Sequence, residues 1–200
     1  MEIQFKNRPN TEHRINGKIV WESRSAAVVA VILGKWRRDT YVLMEKRSPI
    51  MDQPGKWCVP CGYMDWDESG IEAVIREVFE ETSFYIPDLK HRLKSDNKGQ
   101  PFFINTDPSE NRQNIAITYG MVFDFNDVGL PKYVTEYSNS EISSVLWIKL
   151  NEVNYLDVAF NHDKRILQAE EHFSKYLLPW WRRLIKKFSH KTFEIGRAHV

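Results

Sequence analysis

Cysteine is scarce. Two in 200 residues cannot build a disulfide framework, so the fold must rest on a core, in keeping with a reducing compartment. No apolar run approaches the ~18 residues that cross a bilayer, so no membrane span is expected. Charge of one sign is not in excess: 28 basic and 27 acidic residues leave a formal net charge of +1. That excludes the global pull toward nucleic acid or lipid that a strongly basic chain has. The N-terminal stretch MEIQFKNRPNTEHRING is polar and lacks the apolar core of a secretory signal. A cytoplasmic protein is the expectation. Internal repeats and low-complexity linkers are absent as well. What is present is 42% hydrophobic content, enough for one domain with a substantial core.

The apolar pattern orders the chain. Gly17 to Ser23 reads as a short strand, with Ile19 and Trp21 alternating against polar neighbours. Ala26 to Leu33, AAVVAVIL, is near-continuously apolar, the pattern of a strand covered on both faces. Gly34 to Asp39 reads as a turn, and Tyr41 to Arg47 as a hairpin partner strand. Two prolines and a glycine make Ser48 to Lys56 a loop. Trp57 to Cys61 is short and extended. A helix follows, capped by Asp67 or Ser69, with Ile71, Val74, Ile75 and Val78 forming its apolar stripe. Phe84 to Leu93 reads as extended chain, Asn114 to Phe125 as a strong strand and Val145 to Leu150 as another. From Leu156 the chain reads as helical, starting near Asn161 or Asp163 and kinked at Pro179. The order implies an α+β, or mixed α/β, domain.

Four regions are expected: an N-terminal extension with an edge strand over 1–24, the domain proper over 25–155, a C-terminal helix packed on it over 156–191, and a tail over 192–200. The tail ends in Ile195-Gly196-Arg197-Ala198-His199-Val200. These residues resemble a translated sequencing adaptor, so the tail is expected to be non-native.

The chemistry concentrates between Gly62 and Phe84, GYMDWDESGIEAVIREVFEETSF. On a helix, Glu77, Glu80 and Glu81 fall at i, i+3 and i+4, so three carboxylates share one face. Such neighbours repel by a few tenths of a kcal/mol per pair, about 0.2–0.5. Only Arg76, at the edge of that face, offsets them. A ligand set of hard oxygens for a divalent cation explains the cluster better than a solvated acidic face.

These residues resemble the Nudix box, G-x5-E-x7-R-E-U-x-E-E-x-G-U, where U is bulky and apolar. Gly62, Glu68, Arg76, Glu77, Val78, Glu80, Glu81 and Phe84 fill it in register. Ser83 stands where the family has glycine. A left-handed exit from the helix at Ser83 is expected, at a cost of about 1 kcal/mol, with the carboxylates left in place. Trp57-Cys58-Val59-Pro60-Cys61-Gly62 resembles the family's W-x-x-P-G-G lead-in, with Cys61 for the first glycine. The resemblance implies an α/β/α sandwich around a mixed β-sheet. It also implies hydrolysis of a nucleoside diphosphate linked to a moiety X, such as ADP-ribose, a nucleotide sugar, a dinucleotide or a nucleoside triphosphate.

The same resemblance implies magnesium or manganese as cofactor, held by Glu77, Glu80, Glu81 and the backbone carbonyl of Cys61. Cations there would neutralise the phosphates and lower the pKa of a bound water. Arg76 would orient Glu77, with Glu68 behind it. The general base is left open between Glu77 and a glutamate outside the helix, for which Glu141 is the candidate. Lys46 and Arg47 are candidates for pairing with phosphate oxygens. Trp57 and Trp66 flank the box and are candidates for substrate contact.

Cys58 and Cys61 form a single C-x-x-C, which lacks the further ligands a zinc site needs and reads as two small residues packed beside the catalytic loop. The stretch 180–191 is basic and amphipathic, open to contact with nucleic acid or an anionic surface but more simply a packed terminal helix or a homodimer contact. No motif outside the box fixes X. Two other classes stay in view: a non-catalytic nucleotide-sensing module on the same fold, and an RNA-associated enzyme using the basic helix.

Overall fold

The computed structural model describes residues 10–110, 114–132 and 141–177. The basic stretch 180–191, Pro179 and the tail lie outside the described residues.

Thr11–Ile15 (β1) and Lys18–Glu22 (β2) form an antiparallel hairpin. It turns at Asn16 and Gly17, both at positive φ. Asn-Gly is the dipeptide that favours this turn, and it is the signal for β1, a strand the alternation of hydrophobic residues does not reveal.

Ala26–Trp36 (β3) and Asp39–Arg47 (β4) pair antiparallel. The turn between them is tighter than the glycine at 34 suggests. Trp36 still pairs with Asp39, and Arg37 takes the left-handed conformation. Trp57–Cys58 (β5) and Cys61–Tyr63 (β6) follow, then the helix Gly70–Thr82 (α1). Leu93–Ser95 (β7), Phe103–Asn105 (β8), Ile115–Asp124 (β9) and Ile142–Lys149 (β10) complete the eight-stranded sheet. Its order is β10-β4-β3-β9-β7, with β5 on β4, β6 on β3 and β8 on β9. The pair β3–β9 is parallel and the other pairs are antiparallel, so the sheet is mixed. His162–His172 (α2) and Ser174–Leu177 (α3) end the described chain.

Phe84 to Leu93 departs from the extended reading. Ile86–Arg92 is a 3₁₀ helix with proline at its start. Pro87 fixes φ near the helical value where its missing N–H costs nothing, and only Leu93 onward pairs with β9.

The period of two in β3 separates two apolar layers. Val28, Ala30 and Ile32 face one side, packed with Ala73, Val74 and Val78 of α1 and with Tyr119, Met121 and Phe123 of β9. Val29, Val31 and Leu33 face the other, packed with Ile166 and Ala169 of α2 and with Phe173. The mixed sheet is therefore covered by α1 on one face and α2 on the other. None of the described helices is long and apolar enough to cross a membrane.

Candidate active site

The sheet divides where the site lies. β3 pairs with β4 only from Leu33↔Val42 to Trp36↔Asp39. Beyond that, β6 occupies the edge of β3 and β5 the edge of β4. Residues 57–63 thus form a wedge between two parted strands. Ala30 N–H holds the middle of the wedge by donating to the Pro60 carbonyl at 2.9 Å. The wedge brings Cys61 and Gly62 against α1.

α1 begins at a complete capping box. Ser69 and Glu72 exchange side-chain and backbone hydrogen bonds, which satisfies two otherwise orphaned N–H groups. It ends at Ser83 in the left-handed conformation (φ 58°, ψ 15°), as the box register implies. Between these caps, the residues facing the sheet include Glu77 and Glu81, both buried.

Arg76 gathers the carboxylates. Its Nη1 donates to Glu77 Oε1 at 2.7 Å and to Glu80 Oε2 at 3.2 Å. Its Nη2 and Nε grip Glu68 at 2.7 and 3.1 Å, and Nη2 also donates to the Tyr63 carbonyl at 2.9 Å. The Arg76 hydrogen bond holds the Glu68 carboxyl below the usual range. The carboxylates around Arg76 raise its own pKa. Burial pushes Glu77 up, against the pull of Arg76. A β-carbon on Gly62 would collide with the Glu77 carboxylate, so glycine here is what lets Glu77 take this position.

Glu81 accepts from the Cys61 backbone N–H at 2.9 Å. Behind it lies Glu45, fully buried on β4. Cys58 Sγ donates to Glu45 Oε1 at 3.2 Å, while Oε2 is buried without a partner. Burial raises Glu45 to about 7. Burial, then the charge of Glu45, raises Glu81 well above the carboxylate range. Burial and each other's charge therefore favour the protonated form of both carboxyls. The thiols are pushed up by burial too, so neither ionises readily. That agrees with a packing role for both cysteines.

A cavity of about 640 Å³ opens beside Cys61, Gly62 and Glu81. Arg47, at the end of β4, lines it and is 7% exposed. Its Nε donates to the Asp52 carbonyl, and its guanidinium lies 4.8 Å from the centre of the Phe160 ring. No carboxylate pairs with it among the described residues. Phe160 and Asn161 both take left-handed φ, 58° and 55°. For a phenylalanine this is strained, a cost of order 1–3 kcal/mol of the kind found where a site fixes its lining. His162 opens α2, lines the cavity, and accepts from Val59 N–H through Nδ1 at 3.3 Å. Burial, then Arg165 and Arg47, depress it to about 3, so it is neutral.

Arg76 thus gathers Glu68, Glu77 and Glu80, but of the residues that fill the box only Gly62 and Glu81 line the cavity, together with Cys61, Arg47 and the exposed Glu141. Lys46, Trp57 and Trp66 do not line it. The Lys46 ammonium lies over the Trp57 ring at 5.9 Å, and Trp66 is 88% exposed. Among the described residues, no three His, Cys, Asp or Glu side chains stand ready-gathered around an ion position. Arg76 draws Glu77 and Glu80, while Glu81 is turned to Cys61. The donors nevertheless suit a hard divalent cation. They are carboxylate oxygens, and Gly62 keeps open the space into which Glu77 projects.

A family model, the NUDIX domain, matches residues 23–169. The chain belongs to the Nudix family. Solved structures of this family share the fold. A Nudix hydrolase from M. smegmatis, RenU, superposes with a TM-score of 0.58 at 16% identity, over 84% of this chain and 96% of that one. The Nudix domain of Shewanella oneidensis NrtR, complexed with ADP ribose, gives 0.55 at 22% identity, over 76% and 90%. A bifunctional NMN adenylyltransferase/ADP ribose pyrophosphatase from Francisella tularensis, complexed with AMP and a Mn ion, gives 0.55 at 22%, over 78% and 42%. No curated protein matches this Nudix chain in sequence.

Proposed function

We propose that this Nudix protein hydrolyses the diphosphate linkage of a nucleoside diphosphate joined to a moiety X, using magnesium or manganese. The observation that carries the reading is the packing of Arg76 and Glu77 against Gly62, which lines a cavity that also holds an arginine with no carboxylate partner among the described residues. Glu77, Glu80, Glu81 and the Cys61 carbonyl are the groups that would hold the cations. Bound there, they supply charge neutralisation at the phosphates and activation of the attacking water. Arg76 and Glu68 fix the direction of Glu77. Arg47, already desolvated and held in place by Asp52 and Phe160, is pre-set to pair with a phosphate oxygen. Glu141, on the cavity wall, is the candidate to take the proton from water. The NrtR domain bound to ADP ribose and the Francisella protein bound to AMP support a nucleotide-type ligand for this fold.

The test is hydrolysis by the full chain with Mg²⁺ and a panel of ADP-ribose, NADH, a dinucleotide polyphosphate and an oxidised dGTP. A nucleoside monophosphate product is expected from at least one of them. Glu80→Gln should lower that rate about 100-fold or more. The Glu80 side chain is 54% exposed, so its neutralisation leaves the fold intact. Tight nucleotide binding with no product would replace the enzyme reading with the sensor one.

A further inference from the structure

The described part of the cavity wall is acidic. Apart from Glu81, a proposed cation ligand, Asp52, Glu110 and Glu141 line it, against Arg47 and Lys56. A ligand whose phosphates meet Arg47 would bring any additional negative charge toward the remaining carboxylates. Like charges brought together in a partly desolvated site cost several-fold to many-fold in affinity.

Of these acids, Glu110 lies outside the Nudix box and is firmly held. Its Oε2 is engaged from two sides, by Asn105 Nδ2 at 2.8 Å and by Arg165 Nη2 at 3.5 Å. Both partners are buried and come from different elements, β8 and α2. Arg165 is itself fixed. Its guanidinium lies 4.2 Å over the Phe103 ring, and Nη1 donates to Gln168 Oε1 at 3.0 Å. Oε1 of Glu110 has no partner among the described residues. A carboxylate oxygen so placed accepts a hydrogen bond from a hydroxyl and rejects a phosphate.

The same cavity supplies a complementary donor. His162 accepts through Nδ1, so the neutral ring carries its proton on Nε2. A hydroxyl can donate to a carboxylate and accept from an imidazole N–H, whereas a phosphate can only accept.

We propose that Glu110, positioned by Asn105 and Arg165, selects an uncharged, hydroxyl-bearing X over a third phosphate. This rests on the reading of the cavity as a site for nucleoside diphosphates, but not on turnover.

Binding tests it directly. The full chain and Glu110→Gln are titrated, with Mg²⁺, against the α,β-methylene analogues of ADP-ribose, ATP and ADP. The three ligands share one nucleoside and one non-hydrolysable diphosphate, and differ only in X. The full chain should bind the ADP-ribose analogue more tightly than the ATP analogue. In Glu110→Gln that preference should shrink about tenfold or more, the size of one charged hydrogen bond lost and one repulsion relieved. The ADP analogue should bind both proteins alike, which also reports that the variant is folded. The Glu110 side chain is 39% exposed, so a gross folding defect is not expected. An unchanged preference, an equal weakening of all three ligands, or a full chain that favours the ATP analogue would overturn the assignment. Failure of hydrolysis alone would count against the proposed enzyme activity and leave this result standing.

Discussion

Gly62 and the Glu77 carboxylate are in such close approach that no β-carbon fits between them. Gly62 is fixed by its register against Val28 on β3, so it cannot retreat. In Gly62→Ala the glutamate must move instead. With Glu77 in its proposed role, the expected outcome is a folded protein whose proposed diphosphate cleavage falls at least about 10- to 100-fold, the size of effect that displacing a metal ligand or its support has. Steady-state kinetics beside a far-ultraviolet circular dichroism spectrum checks it. Full activity would remove Glu77 from the chemistry.

Arg76 is the counter-ion for Glu68, Glu77 and Glu80 at once. Arg76→Gln leaves that charge uncompensated at a site only partly open to solvent. The metal-free variant should lose on the order of 1–3 kcal/mol of stability. Cations that bind the carboxylates should restore it, because ligands that bind only the native state stabilise by mass action. The rise in melting temperature on adding Mg²⁺ should therefore be larger in Arg76→Gln than in the parent. An equal or smaller rise would mean that the carboxylates do not take up the ion.

The acidic helix is legible in the sequence because one contiguous element carries it. Its caps, its apolar stripe and the spacing of Glu77, Glu80 and Glu81 are all local. The two faces of β3 are legible for the same reason. Glu45 is not legible: in sequence it is one more residue of an ordinary strand, and only the wedge formed by 57–63 buries it against Cys58. Glu110 and Arg165 lie 55 positions apart, and their pairing depends on how α2 returns across the sheet. Trp66 illustrates the converse. It neighbours the box in sequence, yet a turn carries it into solvent.

Ser83 closes α1 in a left-handed conformation that serine accepts only at a cost. Ser83→Gly should raise stability by about 0.5–1 kcal/mol, the larger freedom of glycine in the unfolded chain taking back part of the gain. The helix keeps its closing bond from residue 83 N–H to the Phe79 carbonyl, so the carboxylates and the activity should be unaffected. Urea unfolding reads the first and kinetics the second. A loss of stability would show that the serine side chain makes a favourable interaction at this cap.

Glu45 should make the protein less stable as the pH rises. Its carboxyl is raised from 4.5 to about 7, chiefly by burial. Between those values the folded state holds a proton that the unfolded state has released, so unfolding free energy falls with increasing pH. His162 acts in the opposite sense. Its pKa is lowered from 6.5 to about 3, so its contribution is present above 6.5 and is lost on acidification. The two offset each other in part between 4.5 and 6.5. Above that window His162 adds no further pH dependence, and Glu81, also raised by burial, acts in the same sense as Glu45. Glu45→Gln keeps an acceptor for Cys58 and removes the titration. Its stability relative to the parent should therefore climb from about pH 5 to about pH 8, by at most roughly 3 kcal/mol. The measurement is urea unfolding of both proteins in a chelating buffer, which keeps cations from Glu81. A difference that stayed flat across that range would mean that Glu45 ionises as freely in the folded protein as in the unfolded chain, and that burial behind Glu81 does not hold its proton.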